Sequence, residues 1–449
     1  MESNNILHKI VTTVVHYDLL DRNKNNRIVL ALSGGPDSIF LLSVLFKLKK
    51  FFSMEIIPVH INHMIREEAY NEAVWLKNYI KDRFGVDVLI FSSNVLTLSK
   101  KWKKGIEETG RIVRKTVLNY IYNKFNADFI TTGHNLDDQV ETVLFRMIRG
   151  SGIKGISAMN PKDGIIIRPL LFVKKEEILH ELEREKLLFI NDITNADIRY
   201  TRNMIRHDLL PTMEKINNNA KTHIFDFAMD LSEINKYLEK TICELIKKYV
   251  LMEHQEFHVY NANFLKEDKY IVSELLRNMY KRISGTNLYI ERKHVCDFYS
   301  HALKKGAYSC FFPGRIFVSK SCDAVIFSKK MNFFQDFYVS VSNTTNVLLP
   351  NGMGTLEVSF KTSKYNTDLQ IRSFLPGDKY GGKKLKEYYL KKRIPNFFRK
   401  AIPLIAIGSD VLHNFLFDGE KKELMVGDCQ VSFIFHPSEL YCKIKHFLI

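Results

Sequence analysis

Short apolar runs alternate with amphipathic stretches over roughly the first 215 residues. Arg27-Ile28-Val29-Leu30-Ala31-Leu32 reads as a buried strand, and Met54 to Val59, Asp87 to Phe91 and Asp128 to Thr132 as three more. Ile165 to Ile167 is a fifth candidate. Between them the spacing of apolar positions predicts helices over Asp37 to Lys49, Glu67 to Phe84, Ile106 to Lys124 and Leu136 to Arg149, with one more over Lys174 to Glu185. Strands and helices alternating in this way predict βαβ units, hence an α/β fold with a mostly parallel sheet covered by helices on both faces. Ligands of such sheets sit beyond the carboxyl ends of the strands, so residues just after each strand are the ones to inspect.

A polar, arginine-rich segment from Asp192 to Arg206 ends at Leu209-Leu210-Pro211, which places a first boundary near 215. Residues 216–344 read as mainly helical, with long amphipathic stretches such as Ile224 to Tyr249, and turn strand-like from about 307 (Arg315 to Val318, Ala324 to Phe327). Residues 345–449 read as a small α+β unit, with strand alternation in Thr355-Leu356-Glu357-Val358-Ser359-Phe360.

Charge sharpens this outline. Lys and Arg total 66 against 50 Asp and Glu, a net charge of +16 over 449 residues. Such an excess suits a polyanionic partner, most simply nucleic acid; a solvated basic surface is the plainer alternative. The six cysteines (Cys243, Cys296, Cys310, Cys322, Cys429 and Cys442) all follow residue 242 and form no C-x-x-C pair, so neither metal-ligand spacing nor a disulfide framework is expected. No run approaches the roughly 18 apolar residues of a membrane span, and Met1-Glu2-Ser3-Asn4-Asn5 does not open a signal peptide. A cytoplasmic protein is expected.

Ser33-Gly34-Gly35-Pro36-Asp37-Ser38 follows the first strand and opens a helix. Glycines permit a tight turn and close approach of a ligand to the main chain. The helix N-terminus offers unpaired N–H groups and partial positive charge, and the serines add hydroxyls. Together they suit a phosphate. The lysine of a Walker loop and the spacing of a dinucleotide loop are both missing. A plain turn with Asp37 as a helix cap is the alternative.

This loop resembles the S-G-G-x-D-S loop of the PP-loop ATP pyrophosphatases, which are adenine nucleotide alpha hydrolase-like in fold, bind ATP there and cleave between its α- and β-phosphates. Three further stretches resemble the tRNA(Ile)-lysidine synthases. His60-Ile61-Asn62-His63-Met64-Ile65-Arg66 is similar to H-V-N-H-G-L-R, with Met64 where that family usually has glycine. Gly133-His134-Asn135-Leu136-Asp137-Asp138-Gln139-Val140-Glu141-Thr142 matches G-H-x-x-D-D-Q-x-E-T. Asp192 to Asp197, continuing through Tyr200, Arg202-Asn203 and Ile205-Arg206, matches D-x-T-N-x-D…Y-x-R-N-x-I-R. The resemblance is strong over about 210 residues and looser beyond.

The resemblance implies a two-step reaction: ATP adenylates O2 of an anticodon cytidine of the CAU-anticodon isoleucine tRNA, then the ε-amine of free lysine attacks C2 and AMP leaves. It implies nucleotide contacts from Ser33, Gly34, Gly35, Pro36, Asp37, Ser38, His60 and His134. Charge developing on the α-phosphate and pyrophosphate calls for cations, and Mg²⁺ on Asp37 and Asp138 is the natural choice. Asp137, Asp138 and Glu141 lie at mutually repelling spacings on one helix, better explained by a cation they hold, either Mg²⁺ or the lysine ammonium. Arg111 and Arg114, one turn apart, match the family's paired arginines and are expected on ATP phosphate or the target nucleotide; salt bridges to Glu107 or Glu108 are the alternative. Arg199, Arg202 and Arg206 share a helical face and are expected on the tRNA backbone. Residues 371–400 carry ten Lys or Arg, two acids and five interleaved aromatics (Tyr380, Tyr388, Tyr389, Phe397, Phe398), a candidate tRNA grip. A homodimer is left open.

Rival readings share the loop. A tRNA thiolation enzyme would usually depend on cysteines, which are missing from the first 242 residues. An amide-forming ligase would need an ammonia source, and a non-catalytic RNA-binding relict would not keep the loop and acids intact.

Overall fold

The computed structural model describes residues 3–65, 68–157, 159–191, 201–285, 290–331, 333–361, 368–426 and 429–449. Arg66, Arg199 and the motif from Asp192 to Tyr200 lie outside the described residues. The chain divides into two compact units, Met1–Tyr237 and Leu238–Ile449.

In the first unit the chain runs α1 (Ser3–His16), β1 (Asn26–Ala31), α2 (Pro36–Leu48), β2 (Met54–Asn62), α3 (Ala69–Phe84), β3 (Leu89–Ser92), α4 (Val95–Trp102), α5 (Ile106–Lys124) and β4 (Phe129–Thr131). It continues through α6 (Leu136–Ile148), α7 (Ile153–Ile156), β5 (Lys162–Asp163), β6 (Ile166–Ile167), α8 (Lys175–Arg184), α9 (Thr201–Met204), a widened π-type turn over Ile205–Leu209, α10 (Leu210–Ile216) and the first part of α11 (Ala220–Tyr249), whose residues from Leu238 belong to the second unit. The sheet order is β3-β2-β1-β4-β6-β5. Every pairing from β3 to β6 is parallel, and only β5 runs against its neighbour. Strand β1 lies in the middle, with Ile28 opposite both Ile56 and Phe129.

Side chains of β1 alternate between two cores, as the period of a strand requires. Ile28 and Leu30 join Ile10 of α1, Phe40 of α2, Leu76 of α3 and Ile178 of α8. Val29 joins Ile57, Val59, Leu118 and Ile121 on the opposite face, under α5. Helices therefore cover both faces, as the pattern predicted. Helices α1 and α4 were not anticipated; α1 is held by Ile6, Ile10 and Val14, spaced by four. The chain winds outward from β1 through β2 to β3, then returns to the other side of β1 as β4. That reversal opens a crevice beyond the carboxyl ends of β1 and β4, where doubly wound sheets bind ligands.

In the second unit, two helices (Lys269–Ser284 and Arg292–Ala302) pack on a five-stranded antiparallel sheet. Its first hairpin, Val250–Glu253 with Phe257–Asn261, falls in a stretch whose sequence reads as helical. Six- and four-stranded sheets follow from Tyr338 onward and share a core with the first sheet.

The candidate tRNA grip at 371–400 separates into two groups. Arg372 is buried and donates to both oxygens of buried Asp378 at 2.8 Å and to two backbone carbonyls, so it braces a turn instead of facing RNA. Tyr389 and Phe398 are fully buried core residues, and Arg399 donates to the Ile394 carbonyl. Lys379, Lys383, Lys384, Lys386, Lys391 and Lys392 remain exposed.

Candidate active site beyond the parallel strands

A cavity of about 460 Å³ opens beyond β1, β2 and β4. Ser33, Asp37 and Ser38 line it from the loop after β1, His60, His63 and Met64 from the end of β2, Arg114 from α5, and His134 and Asp138 from the β4–α6 connection.

The loop after β1 needs its first glycine for two reasons. Gly34 sits at φ +88°, and a Cβ there would come within 2.6 Å of the Ile190 side chain. Gly35 caps α2 and Pro36 occupies its first turn, where a missing N–H costs nothing. The two serines are engaged within the loop itself. Ser38 Oγ accepts from the Gly34 N–H (3.1 Å) and the Ser33 hydroxyl (3.1 Å) and donates to the Gly35 carbonyl (2.9 Å). Their first role is to hold the loop's shape.

The loop after β4 touches the loop after β1. A Cβ on Gly133 would lie 3.0–3.2 Å from the backbone and Cβ of Asp37. Gly133→Ala should therefore push these loops apart and lower turnover by about 10- to 100-fold while thermal melting stays close to wild type, since displacements well below 1 Å already matter for positioned groups. Steady-state kinetics alongside a melt would check it.

Asn135 caps α6 through a reciprocal pair of bonds with Asp138 and donates its side-chain amide to Asp37 (2.9 Å). Asp138 is thereby fixed at the cavity floor. Its carboxyl is pushed up to about 7 by burial first, then by the charges of Glu141 and Asp37. Glu141 is buried and bound by Arg206 through two bonds, at 2.6 and 2.9 Å. Arg206 reaches Asp138 only at 3.7 Å. Arg206, on the π-type turn, is thus engaged by an acid of α6.

Asp137 departs from expectation. It accepts from the backbone N–H of Lys175 (2.8 Å) and pairs with Lys221 (3.1 Å), lining a separate cavity of about 280 Å³. Adjacent helical residues diverge by about 100°, and here Asp137 and Asp138 line different cavities. The acid cluster is divided, and Asp137 is a brace behind the site.

His60 and His134 both line the cavity. His60 Nδ1 is 3.0 Å from the Leu32 carbonyl oxygen, tying the ends of β2 and β1 together. His134 Nδ1 lies 2.8 Å from Thr132 Oγ1, and its pKa is pushed down to about 4 by burial, then by Arg168, Arg114 and Arg202. His63 is held near 4 by burial and Arg114, and its buried Nδ1 has no hydrogen-bond partner among the described residues. His134 and His63 are therefore neutral at pH 7. Met64 has φ +52°, a left-handed backbone that glycine adopts at no cost, which explains the glycine of the similar motif.

Arg114 lines the cavity and Arg111 stands outside it; burial first, then the charge of Arg111, holds the Arg114 and Arg146 guanidiniums below their ordinary values. The expected alternative partners are taken: Glu107 faces Arg202 (3.6 Å) and Glu108 pairs with Lys104. Close by, the Phe145 ring lies under Arg149 (4.0 Å) and Arg202 (5.6 Å).

A PP-loop domain model matches residues 6–213. A tRNA(Ile)-lysidine synthase of Thermosipho africanus is 32% identical, covering 89% of this chain and 90% of its own length. The chain belongs to the tRNA(Ile)-lysidine synthase family. A member from Clostridioides difficile is 31% identical over 94% of this chain and 98% of its own length. Among solved structures, the U34-tRNA thiolase NcsA of Methanococcus maripaludis is similar with 21% identity, covering 51% of this chain and 79% of that one, at a TM-score of 0.42. As a member of the lysidine synthase family, the chain is a tRNA-modifying enzyme built on a PP-loop ATP-binding domain.

The family's chemistry implies a divalent metal, and the donor set suits one. Asp37 and Asp138 both face the cavity and are close enough for their charges to repel. No group of three or more His, Cys, Asp or Glu forms a metal cage among the described residues. Two carboxylates completed by phosphate oxygens and water match the habit of Mg²⁺. Two site residues escaped the sequence reading. Asn135 shows the signature of a cap, an Asn three residues before an acid. Lys175, at the start of α8, donates to both oxygens of Asp37 at 2.8 and 2.7 Å, and nothing in its neighbourhood marks it.

Among the described residues, no helix is long and apolar enough to cross a membrane.

Proposed function

We propose that this enzyme joins free lysine to C2 of the wobble cytidine (position 34) of the CAU-anticodon isoleucine tRNA, giving lysidine and AUA decoding. The observation that carries the reading is the pairing of Asp37 and Asp138 at one cavity, beyond the strand reversal and beside a phosphate-type loop. ATP lies in this cavity with its phosphates on the loop after β1. Asp37 and Asp138 would hold Mg²⁺, which would supply positive charge to offset that developing on the α-phosphate and pyrophosphate. Cytidine O2 attacks the α-phosphate and pyrophosphate departs. The lysine amine then adds at C2, and AMP leaves with the former O2.

This chain's own residues supply the rest. Gly133 and Asn135 keep the two loops in register. Arg114, with Arg111 behind it, offers cationic contact to phosphate or to the target nucleotide. Neutral His134 and His63 offer hydrogen bonds without adding charge. Asp138 offers its carboxylate to the lysine ammonium, whereas Glu141 is already held by Arg206. Arg149, Phe145 and Arg202 supply cations and a ring of the kind that holds unpaired RNA. The exposed lysines between 379 and 392 grip the tRNA at a distance from the chemistry. We read residues 1–215 as catalytic and 216–344 and 345–449 as tRNA-binding, acting in the cytoplasm where tRNA is found.

Incubating the protein with ATP, Mg²⁺ and radiolabelled lysine should label the CAU-anticodon isoleucine transcript and leave the methionine tRNA of the same anticodon unlabelled. Label on neither RNA, where an established synthase works, would refute the substrate assignment.

A further inference from the structure

Asp37 is not a free carboxylate. Both of its oxygens accept from Lys175 Nζ, at 2.8 and 2.7 Å, and Oδ1 also accepts from Asn135. The main chain of Lys175 is pinned, because its N–H donates to Asp137 at 2.8 Å and Asp137 is itself held by Lys221 at 3.1 Å. The preceding residue is fixed as well, with the Lys174 N–H on Glu177 at 2.6 Å. What remains movable is the long side chain, which is about a third exposed and ends beside an acid of the cavity. A lysine is a compact point charge on a flexible stem with three donors, suited to exchanging one anionic partner for another.

We propose that Lys175 is the resident counter-ion of Asp37, which an incoming divalent metal must displace and which then moves onto the phosphates of the nucleotide. This rests on reading the cavity as an ATP and metal site. Metal arriving alone must leave the ammonium without a partner. Metal arriving with a nucleotide brings phosphate oxygens to receive it. Lys175 therefore makes metal and nucleotide binding mutually dependent, and by linkage each favours the other by the same factor.

The test uses the full chain without tRNA and reads Mn²⁺ binding by electron paramagnetic resonance, with and without α,β-methylene-ATP. Wild type should bind Mn²⁺ weakly alone and about tenfold or more tighter with the analogue, a coupling of ordinary size. Lys175→Met should bind Mn²⁺ alone about tenfold tighter than wild type and show a correspondingly smaller enhancement, the part that remains being direct ligation of the metal by phosphate oxygens. Lys175→Arg keeps the charge and should keep the enhancement, which a merely structural role would not require. Mn²⁺ affinity of Lys175→Met equal to or below wild type, with the Arg variant behaving the same way, would overturn the proposal and leave the metal site standing. No Mn²⁺ binding by wild type even with the analogue would overturn the reading of the cavity, and the proposal with it.

Discussion

Asp37→Asn is expected to cut lysine transfer by about 10³-fold or more, the scale of losing a preorganised charge at a reacting phosphate. The amide keeps the volume of the side chain and one oxygen for Asn135, so the contact between the two loops survives. What disappears is the negative charge that Asp37 presents to the cavity. The cost in folding should be small, because Asp37 and Lys175 are each about a third exposed and such pairs contribute roughly 0–1 kcal/mol. Affinity for tRNA should stay within about twofold, since phosphate contacts from basic surfaces dominate RNA binding. Labelling with radioactive lysine and a filter-binding titration, run on the same preparation, separate the two effects. A parallel collapse of tRNA binding would mean that Asp37 shapes the protein instead of serving the reaction.

The central strand and its loop could be read directly because they obey local rules. A parallel strand buried on both faces is a continuous apolar run, and Ile28 to Ala31 is one. The loop that follows is constrained by backbone geometry, and Gly34 proves to need both its positive φ and its missing side chain. The acids were harder. Spacing puts Asp137, Asp138 and Glu141 on one helix, yet it is silent on what surrounds that helix. The starts of α8 and α11 supply the partners of Asp137, and the turn at Ile205–Leu209 supplies the partner of Glu141; all three are distant in sequence. Lys175 was invisible for the same reason. The aromatics of 371–400 show the converse failure. Among so many lysines, Tyr389 and Phe398 looked like a surface for bases, but strands paired from elsewhere in the second unit bury both. The hairpin at Val250–Asn261 is too short to show a strand period against the long helix before it.

Asp138→Asn should be inactive and, at neutral pH, more stable than wild type. The native carboxyl titrates near 7, about three units above the usual 3.8, because burial and the neighbouring Glu141 and Asp37 oppose its charge. Between about pH 4 and pH 7 the native state therefore holds a proton that the unfolded state has released. Stability must fall as pH rises through that window, and level off above it. An asparagine resembles the protonated acid and escapes this loss. The melting temperatures of the two proteins should coincide near pH 4, diverge up to pH 7 and keep a constant gap beyond. Allowing for partial exposure and for Arg206 nearby, the gap corresponds to roughly 1–3 kcal/mol, or several degrees in a protein of this size. The buried neutral His63 and His134 destabilise both proteins equally on acidification and cancel in the comparison. Adding Mg²⁺ with a non-cleavable ATP analogue at pH 7.5 should narrow the gap, because a bound cation stabilises only the protein that carries the opposed charges. A variant that tracks wild type from pH 4 to pH 8 would show that Arg206 already neutralises Asp138. The strain in this acid would then be absent, and with it the reason for a cation to bind where the two carboxylates meet.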